Sequence, residues 1–312
     1  MQIILRCFLL FLAAFSQMAA FAQKAKSEPI IPSQLDKTLL WKVSGKGIKT
    51  SYVYGTIHMI AQKDFFLHPA TLKAFNKSKS LVTEIDMSNQ MAMSLQMLQL
   101  APMKNTELKN LLSEADYKTV KNYFEKESAN PELKMLPFAM VENWKPMLLQ
   151  SFLYSDMIEK PVKAYEMEFV ALAQKRKKMQ FGGLETIEDQ MNVFETITYA
   201  DQAKALVEMI QQVKNTDKTV PNEFAQLVAL YQSQDIDAMV VHSKQSFEEM
   251  GDKSEEALLT NRNKNWIPKI GEMAKKTPCF FAVGAAHLGG ENGVIRLLMR
   301  EGYKVEAVTN QR

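Results

Sequence analysis

"YVYGTIHMIA" at residues 52–61 and "FFAVGAAHLGG" at residues 280–290 decide how this chain folds. Each runs an apolar, strand-like stretch into Gly-x-x-His: Gly55-Thr56-Ile57-His58 first, Gly284-Ala285-Ala286-His287 later. The chain has 4 histidines in 312 residues. A lone histidine after a strand usually belongs to a loop or a core. Two in matched contexts reverse that expectation. His68 and His242 lack the context and read as ordinary surface or capping residues.

The flanks of each phrase repeat a pattern. Residues 51–57 suit a strand through Tyr52, Val53 and Tyr54. A helix follows from Pro69, a residue fit for a first helical turn, with Leu72 and Phe75 inward. "SLVTEID" at 80–86 is then a second strand. At the other end, a strand at 279–283 leads to a helix with Val294, Leu297 and Leu298 inward. Gly302 stops that helix before a strand at 303–308. Both segments read as β-turn-α-β units. Parallel strands joined by a helix share a C-terminal edge, where open α/β sheets bind ligands. His58 and His287 are therefore expected to meet. The glycine of each phrase is expected to let the backbone turn sharply at the strand end.

Before the first phrase, strands at 39–43 and 51–57 are separated by Gly45, Lys46 and Gly47, which predicts a hairpin. From about 90 to 260 the signals turn helical: "MAMSLQMLQL", "YKTVKNYFEK", "EFVALAQKRKK", "AKALVEMIQQVK" and "EFAQLVALYQ" space apolar residues by three and four. The predicted fold is α/β: a mixed sheet from the terminal β-turn-α-β units, with a mostly helical middle packed as a cap.

Residues 1–22 read as a signal peptide. Arg6 precedes an apolar run over 7–15, and Ala20-Phe21-Ala22 is an A-x-A cleavage site. That run is shorter than the roughly 20 residues of a membrane span. The expected product is exported, periplasmic or secreted, without an integral membrane anchor. A polar leader is expected over 23–38 and a single domain over 39–312. Cys279 is then the one remaining cysteine, so no internal disulfide is expected. Of 38 basic residues Arg6 leaves with the signal peptide, giving 37 against 35 acidic, a balance of +2 that offers no argument for nucleic acid. Lys175-Arg176-Lys177-Lys178 reads as a solvated helix end.

With both phrases in place, the chain resembles the TraB/GumN family, to which the Tiki proteases also belong. Three further features are similar to that family. Glu84 in "LVTEID" follows the first phrase by one helix and one strand. "GGLETIEDQ" at 182–190 resembles its Gly-Leu-Glu-Thr segment with a downstream glutamine. "NRNKNW" at 261–266 resembles its Arg-Asn-x-x-Trp element. The resemblance runs in order over about 39–308. One departure is visible: the family's Gly-x-Asp falls on "AYEMEF", with Glu166 at the aspartate.

The resemblance implies a metal-dependent peptidase, and the residues allow that chemistry. Two neutral imidazoles and a carboxylate, here His58, His287 and Glu84, suit a divalent metal such as Zn, Mn or Co with an open position for water. No H-E-x-x-H is present, which excludes the helix-borne zinc protease pattern. Glu185 reads either as a general base or orienting carboxylate, or as an acid favouring a helix start, since Thr186 and Asp189 have capping-box spacing. Arg262 reads as a carboxylate or oxyanion partner, or as half of a structural ion pair. Trp266 reads as core. The Met-rich run at 87–103 reads first as a packed helical core and second as a pliable substrate groove. The expected partner is a peptide or protein substrate. The alternative is a peptide- or ligand-sequestering protein built on the same histidines.

Overall fold

The computed structural model describes residues 31–128, 137–214, 223–249 and 253–309. The signal peptide expected at 1–22 and the leader up to residue 30 lie outside the described residues. The end of this segment packs on the domain. Leu35 is buried and its N–H donates to Asp237 Oδ2 at 3.2 Å, while the Pro32 and Ser33 carbonyls accept from Arg296. Leu35 supplies enough apolar surface to join the domain.

The strands are β1 (Leu40–Ser44), β2 (Ser51–Thr56), β3 (Met59–Ala61), β4 (Ser80–Ile85), β5 (Val162–Ala164), β6 (Gln180–Glu185), β7 (Cys279–Gly284) and β8 (Lys304–Ala307). Six form a mixed sheet in the order β6-β4-β7-β2-β1-β8. β6, β4, β7 and β2 run parallel, while β1 pairs antiparallel with both β2 and β8. β2 and β7 are buried at every residue, as continuous apolar strands covered on both faces should be. The α/β class and the predicted hairpin are both present, with Gly45, Lys46 and Gly47 all at positive φ in the turn.

The helices used below are α1 (Pro69–Lys77), α2 (Gln90–Leu100), α3 (Pro146–Met157), α4 (Tyr165–Gln174), α5 (Ile187–Phe194), α6 (Tyr199–Lys214), α7 (Asn261–Lys276) and α8 (Val294–Arg300). Pro69 opens α1 as expected, with Thr71, Ala74 and Phe75 buried; Leu72 is only half-buried. Phe75, Phe169 and Phe280 meet with ring centroids 5.0–5.6 Å apart, joining α1 and α4 to the sheet. Arg176 leaves the exposed basic run to donate to the Phe75 and Ser78 carbonyls at the end of α1.

The two Gly-x-x-His segments share strand-helix-strand order but differ in detail. The first inserts β3, which pairs with β5, between His58 and α1. The second carries His287 inside a short 3-10 turn, Ala285–His287. Their strands pair out of step, Gly55 lying opposite Val283. Neither glycine is at positive φ, so a left-handed backbone is not what requires them. Gly55 is there for closeness: a Cβ on it would lie 3.0 Å from Ala285 Cβ and Leu288 Cδ1.

The middle is not all cap. β6 returns from it to edge the main sheet, and α4 buries Tyr165, Phe169 and Val170 in the main core. Gly182 and Gly183 hide β6 from sequence reading, because glycine weakens any strand signal. A separate apolar core does form among the helices, where Leu149 and Leu153 of α3 meet Leu206 and Ile210 of α6. The packed-core expectation fails for α2, none of whose residues is buried. Met91, Leu95 and Leu98 are 77%, 57% and 49% exposed. Its apolar residues lie all around the helix, so no single face can bury them together. Among the described residues no helix is long and apolar enough to cross a membrane.

Gly55 gives the first test. Gly55→Ala should destabilise the protein by about 1–3 kcal/mol in urea unfolding, through overpacking against Ala285 and Leu288. Gly182→Ala, whose added Cβ meets nothing nearer than 3.8 Å, should stay within about 1 kcal/mol of wild type. Equal effects would contradict the close-packing account.

Candidate functional site

Four parallel strands end side by side, and each brings one group. Glu185 closes β6, and Glu84 is the penultimate residue of β4. Gly284 closes β7 with His287 three residues on, and His58 lies two residues past β2. Arg262 comes from the first turn of α7. All five sequence-predicted site residues thus meet at one edge of the sheet.

Arg262 is the hub. Its Nη2 donates to Glu84 Oε2 and to Glu185 Oε1, both at 2.6 Å, and its Nε donates to Glu185 Oε2 at 3.1 Å. Nη1 donates to the Leu258 carbonyl at 2.9 Å and lies 3.1 Å from His287 Nε2. Glu185 also accepts from Trp266 Nε1 (3.2 Å) and Gln190 Nε2 (3.2 Å), which occupies both of its oxygens with donors. The capping box sits beside this: Thr186 caps α5 and Asp189 returns the bond. Glu185 is therefore next to the helix start, yet its carboxylate faces Arg262.

Glu84 divides its two oxygens. Oε2 belongs to Arg262, while Oε1 accepts from Gly284 N–H at 2.8 Å and faces His287 Nε2 at 3.9 Å. Burial opposes its charge, but His287, Arg262, His58 and the Gly284 N–H outweigh burial and hold its pKa well below the usual carboxylate range. The direction rests most firmly on Arg262, which is charged at any relevant pH.

The histidines are held differently. His287 is buried, its ring 4.4 Å from that of Trp266. Asn263 Nδ2 donates to the Asn292 carbonyl (2.9 Å), so its Oδ1 faces His287 Nδ1 at 2.6 Å and accepts a hydrogen bond from the Nδ1–H. Nε2 then carries the lone pair. Burial, with Arg262 and His58 nearby, lowers the His287 pKa to about 3 despite Glu84. The His58 side chain is 71% exposed, and its Nδ1 lies 3.3 Å from Glu166 Oε1. Neighbouring protein disfavours its charge, but Glu166 overrides that and raises its pKa to about 9.

Gly284 lies between the three expected ligands. A Cβ on it would lie 3.3 Å from Glu84 Oε1, 3.5 Å from His287 Cδ2 and 3.9 Å from His58 Nε2, so its missing side chain leaves a cradle. Among the described residues no group of three or more His, Cys, Asp or Glu is drawn together as metal ligands are. Glu84 Oε1 and His58 Nε2 face this glycine-floored space, and the His287 ring borders it through Cδ2, with its Nε2 3.9 Å from Glu84 Oε1; two imidazoles and a carboxylate are a donor set whose chemistry fits a divalent ion. Arg262 Nη1 competes for His287 Nε2. Sequence reading missed Glu166 and Asn263 as members of the site. The first was visible only as a family departure, the second as the neighbour of Arg262. Trp266 is core, as expected, and also a donor to the site.

A groove of about 500 Å³ adjoins these residues, lined by Asp86, Asn89 and Met93 on one side and Gly183, Glu185 and Lys269 on the other. It places the start of the Met-rich helix beside the strand ends.

Removing the hub should be costly. Arg262→Ala leaves Glu84 and Glu185 buried without their shared counter-charge and is expected to lose about 3–5 kcal/mol in urea unfolding. Arg262→Lys should recover less than half, because one ammonium cannot copy a planar fork spanning two carboxylates. Full recovery by lysine would show that charge alone matters here.

The profile of the TraB/PrgY/gumN family matches residues 39–307. Metalloprotease TIKI1 of Danio rerio is 24% identical over 313 residues, covering 86% of this chain and 63% of that protein. Metalloprotease TIKI1 of Xenopus tropicalis is 23% identical, covering 95% of this chain and 68% of the relative. Metalloprotease TIKI1 of Homo sapiens is 22% identical, with 86% and 61% covered. The chain therefore spans less than two thirds of the zebrafish and human relatives. No solved structure matches it. Matched from its first sheet strand to its last, the chain belongs to the TraB/PrgY/gumN family.

Proposed function

We propose that this protein is an exported, metal-dependent hydrolase of peptide bonds, with His58, Glu84 and His287 as ligands of one divalent ion, Zn, Mn or Co. The observation that supports the proposal is that the side chains of these three residues border the Gly284 cradle. Relatives named metalloproteases support the same reading. Export rests on the signal-like residues 1–22. The two Gly-x-x-His phrases act together, each giving one imidazole from a parallel strand end.

Such an ion supplies Lewis acidity toward an amide carbonyl and an acidified water. The chain's own residues do the rest. Asn263 keeps the His287 proton on Nδ1, which leaves Nε2 as donor. Gly284 N–H and Arg262 fix the Glu84 carboxylate from two sides. Glu185 orients Arg262 through two parallel hydrogen bonds, a role its four donors favour over that of a base. Arg262 Nη1, held by the Leu258 carbonyl and lying against His287 Nε2, would have one N–H released to stabilise charge developing on a carbonyl oxygen if His287 Nε2 turned to an ion. The groove beside α2, lined there by Asn89, Ala92, Met93 and Gln96, supports an extended peptide as substrate.

One observation favours a second reading, a sequestering protein without turnover. Arg262 Nη1 already lies against His287 Nε2, the atom an ion would need.

Metal content and turnover separate the two. Equilibrated with Zn²⁺, Mn²⁺ or Co²⁺ and desalted, the protein should retain about one ion per chain and cleave members of a quenched-fluorescence peptide library. His58→Ala and His287→Ala should lose both properties while remaining folded. Glu185→Gln should keep the ion and lose about 10²–10³-fold in turnover, the cost of a disordered oxyanion donor. A folded protein that cleaves no peptide, with or without a retained ion, would favour sequestration. Neither retention nor cleavage would defeat the hydrolase.

A further inference from the structure

His58 is the least supported of the expected ligands. It sits on the turn between β2 and β3 with most of its ring in solvent, so packing does not fix the ring. What faces it is a buried acid. Glu166, 8% exposed, stands in the first turn of α4 and brings Oε1 to 3.3 Å from His58 Nδ1. Thr56 Oγ1 donates to the same oxygen at 2.6 Å. Thr56 is itself buried, as the last residue of β2, two positions before His58. The neighbour Tyr165 is fully buried, and its hydroxyl donates to the Phe66 carbonyl at 2.9 Å. The carboxylate is thus set by a strand and a helix that are both fixed in the main core.

We infer that Glu166 is a positioning residue for His58: it holds Nδ1–H, turns Nε2 toward the Gly284 cradle and strengthens that nitrogen as a donor, while Thr56 fixes the carboxylate. A carboxylate behind a ligating imidazole selects its tautomer and ring orientation and raises its basicity. His287 needs no such partner, because Trp266 and Asn263 hold it by packing and a neutral amide. The exposed histidine has the carboxylate and the buried one has the packing. The inference rests on the metal-binding reading above.

The test uses the full processed protein and Zn²⁺ alone, in competition with a chromophoric chelator, with Co²⁺ as spectroscopic probe. Glu166→Gln should weaken Zn²⁺ binding by about 10–100-fold and alter the visible Co²⁺ spectrum. Glu166→Asp keeps the carboxylate at shorter reach and should recover part of the affinity. Thr56→Val should weaken binding less than Glu166→Gln does. Thermal melting of the metal-free variants reports any loss of fold separately. If wild type binds Zn²⁺ and Glu166→Gln binds it equally with an unchanged Co²⁺ spectrum, the positioning role is overturned and the metal reading stands. If wild type binds no Zn²⁺, both fall.

Discussion

Two carboxylates at the ends of adjacent parallel strands, both buried, would repel each other and lack water. Glu84 and Glu185 are placed that way, and Arg262 makes the arrangement possible. One guanidinium spans both, leaving a single net negative charge across the three groups. Its planar fork also fixes direction, since Nε and Nη2 reach Glu185 while Nη2 alone reaches Glu84. The same end of α7 carries Asn263 against His287 and Trp266 against Glu185. Three residues in the first two turns of one helix therefore align the ends of β4, β6 and β7. Such an ion network is not efficient as pure stabilisation, because burying charge is costly. Its value lies in placing Glu84 Oε1 toward the cradle with its other oxygen already occupied.

What could be read from sequence was local, and what could not be read depended on distant packing. β2, β4 and β7 announced themselves through β-branched and aromatic runs, and α1 through Pro69. The Thr186–Asp189 capping box is a three-residue affair and was legible as such. β6 was not, because Gly182 and Gly183 carry no strand propensity and its pairing with β4 is made nearly a hundred residues along the chain. The apolar character of α2 suggested a core, yet among the described residues Met91, Leu95 and Leu98 stay exposed. Gly55 looked like a turn residue and proved to be a contact residue. Only the positions of Ala285 and Leu288 could reveal that. Glu166 was legible as an acid at an aligned position, but its partner His58 lies 108 positions earlier, a relation no local pattern encodes.

The two Gly-x-x-His phrases show how little identical wording fixes. In sequence they are interchangeable; in the fold one histidine is exposed over a buried acid and the other buried beside a guanidinium. Their proton affinities move in opposite directions for that reason, up to about 9 for His58 and down to about 3 for His287. The strand ends bring the imidazoles to one place, because β2 and β7 are neighbours and parallel. The groups that differentiate the two imidazoles come mainly from outside the phrases: Glu166 of α4 behind His58, Asn263 and Trp266 of α7 behind His287. A repeated motif in an α/β sheet is in this sense a pair of addresses, and the helices packed over the edge decide what each address does.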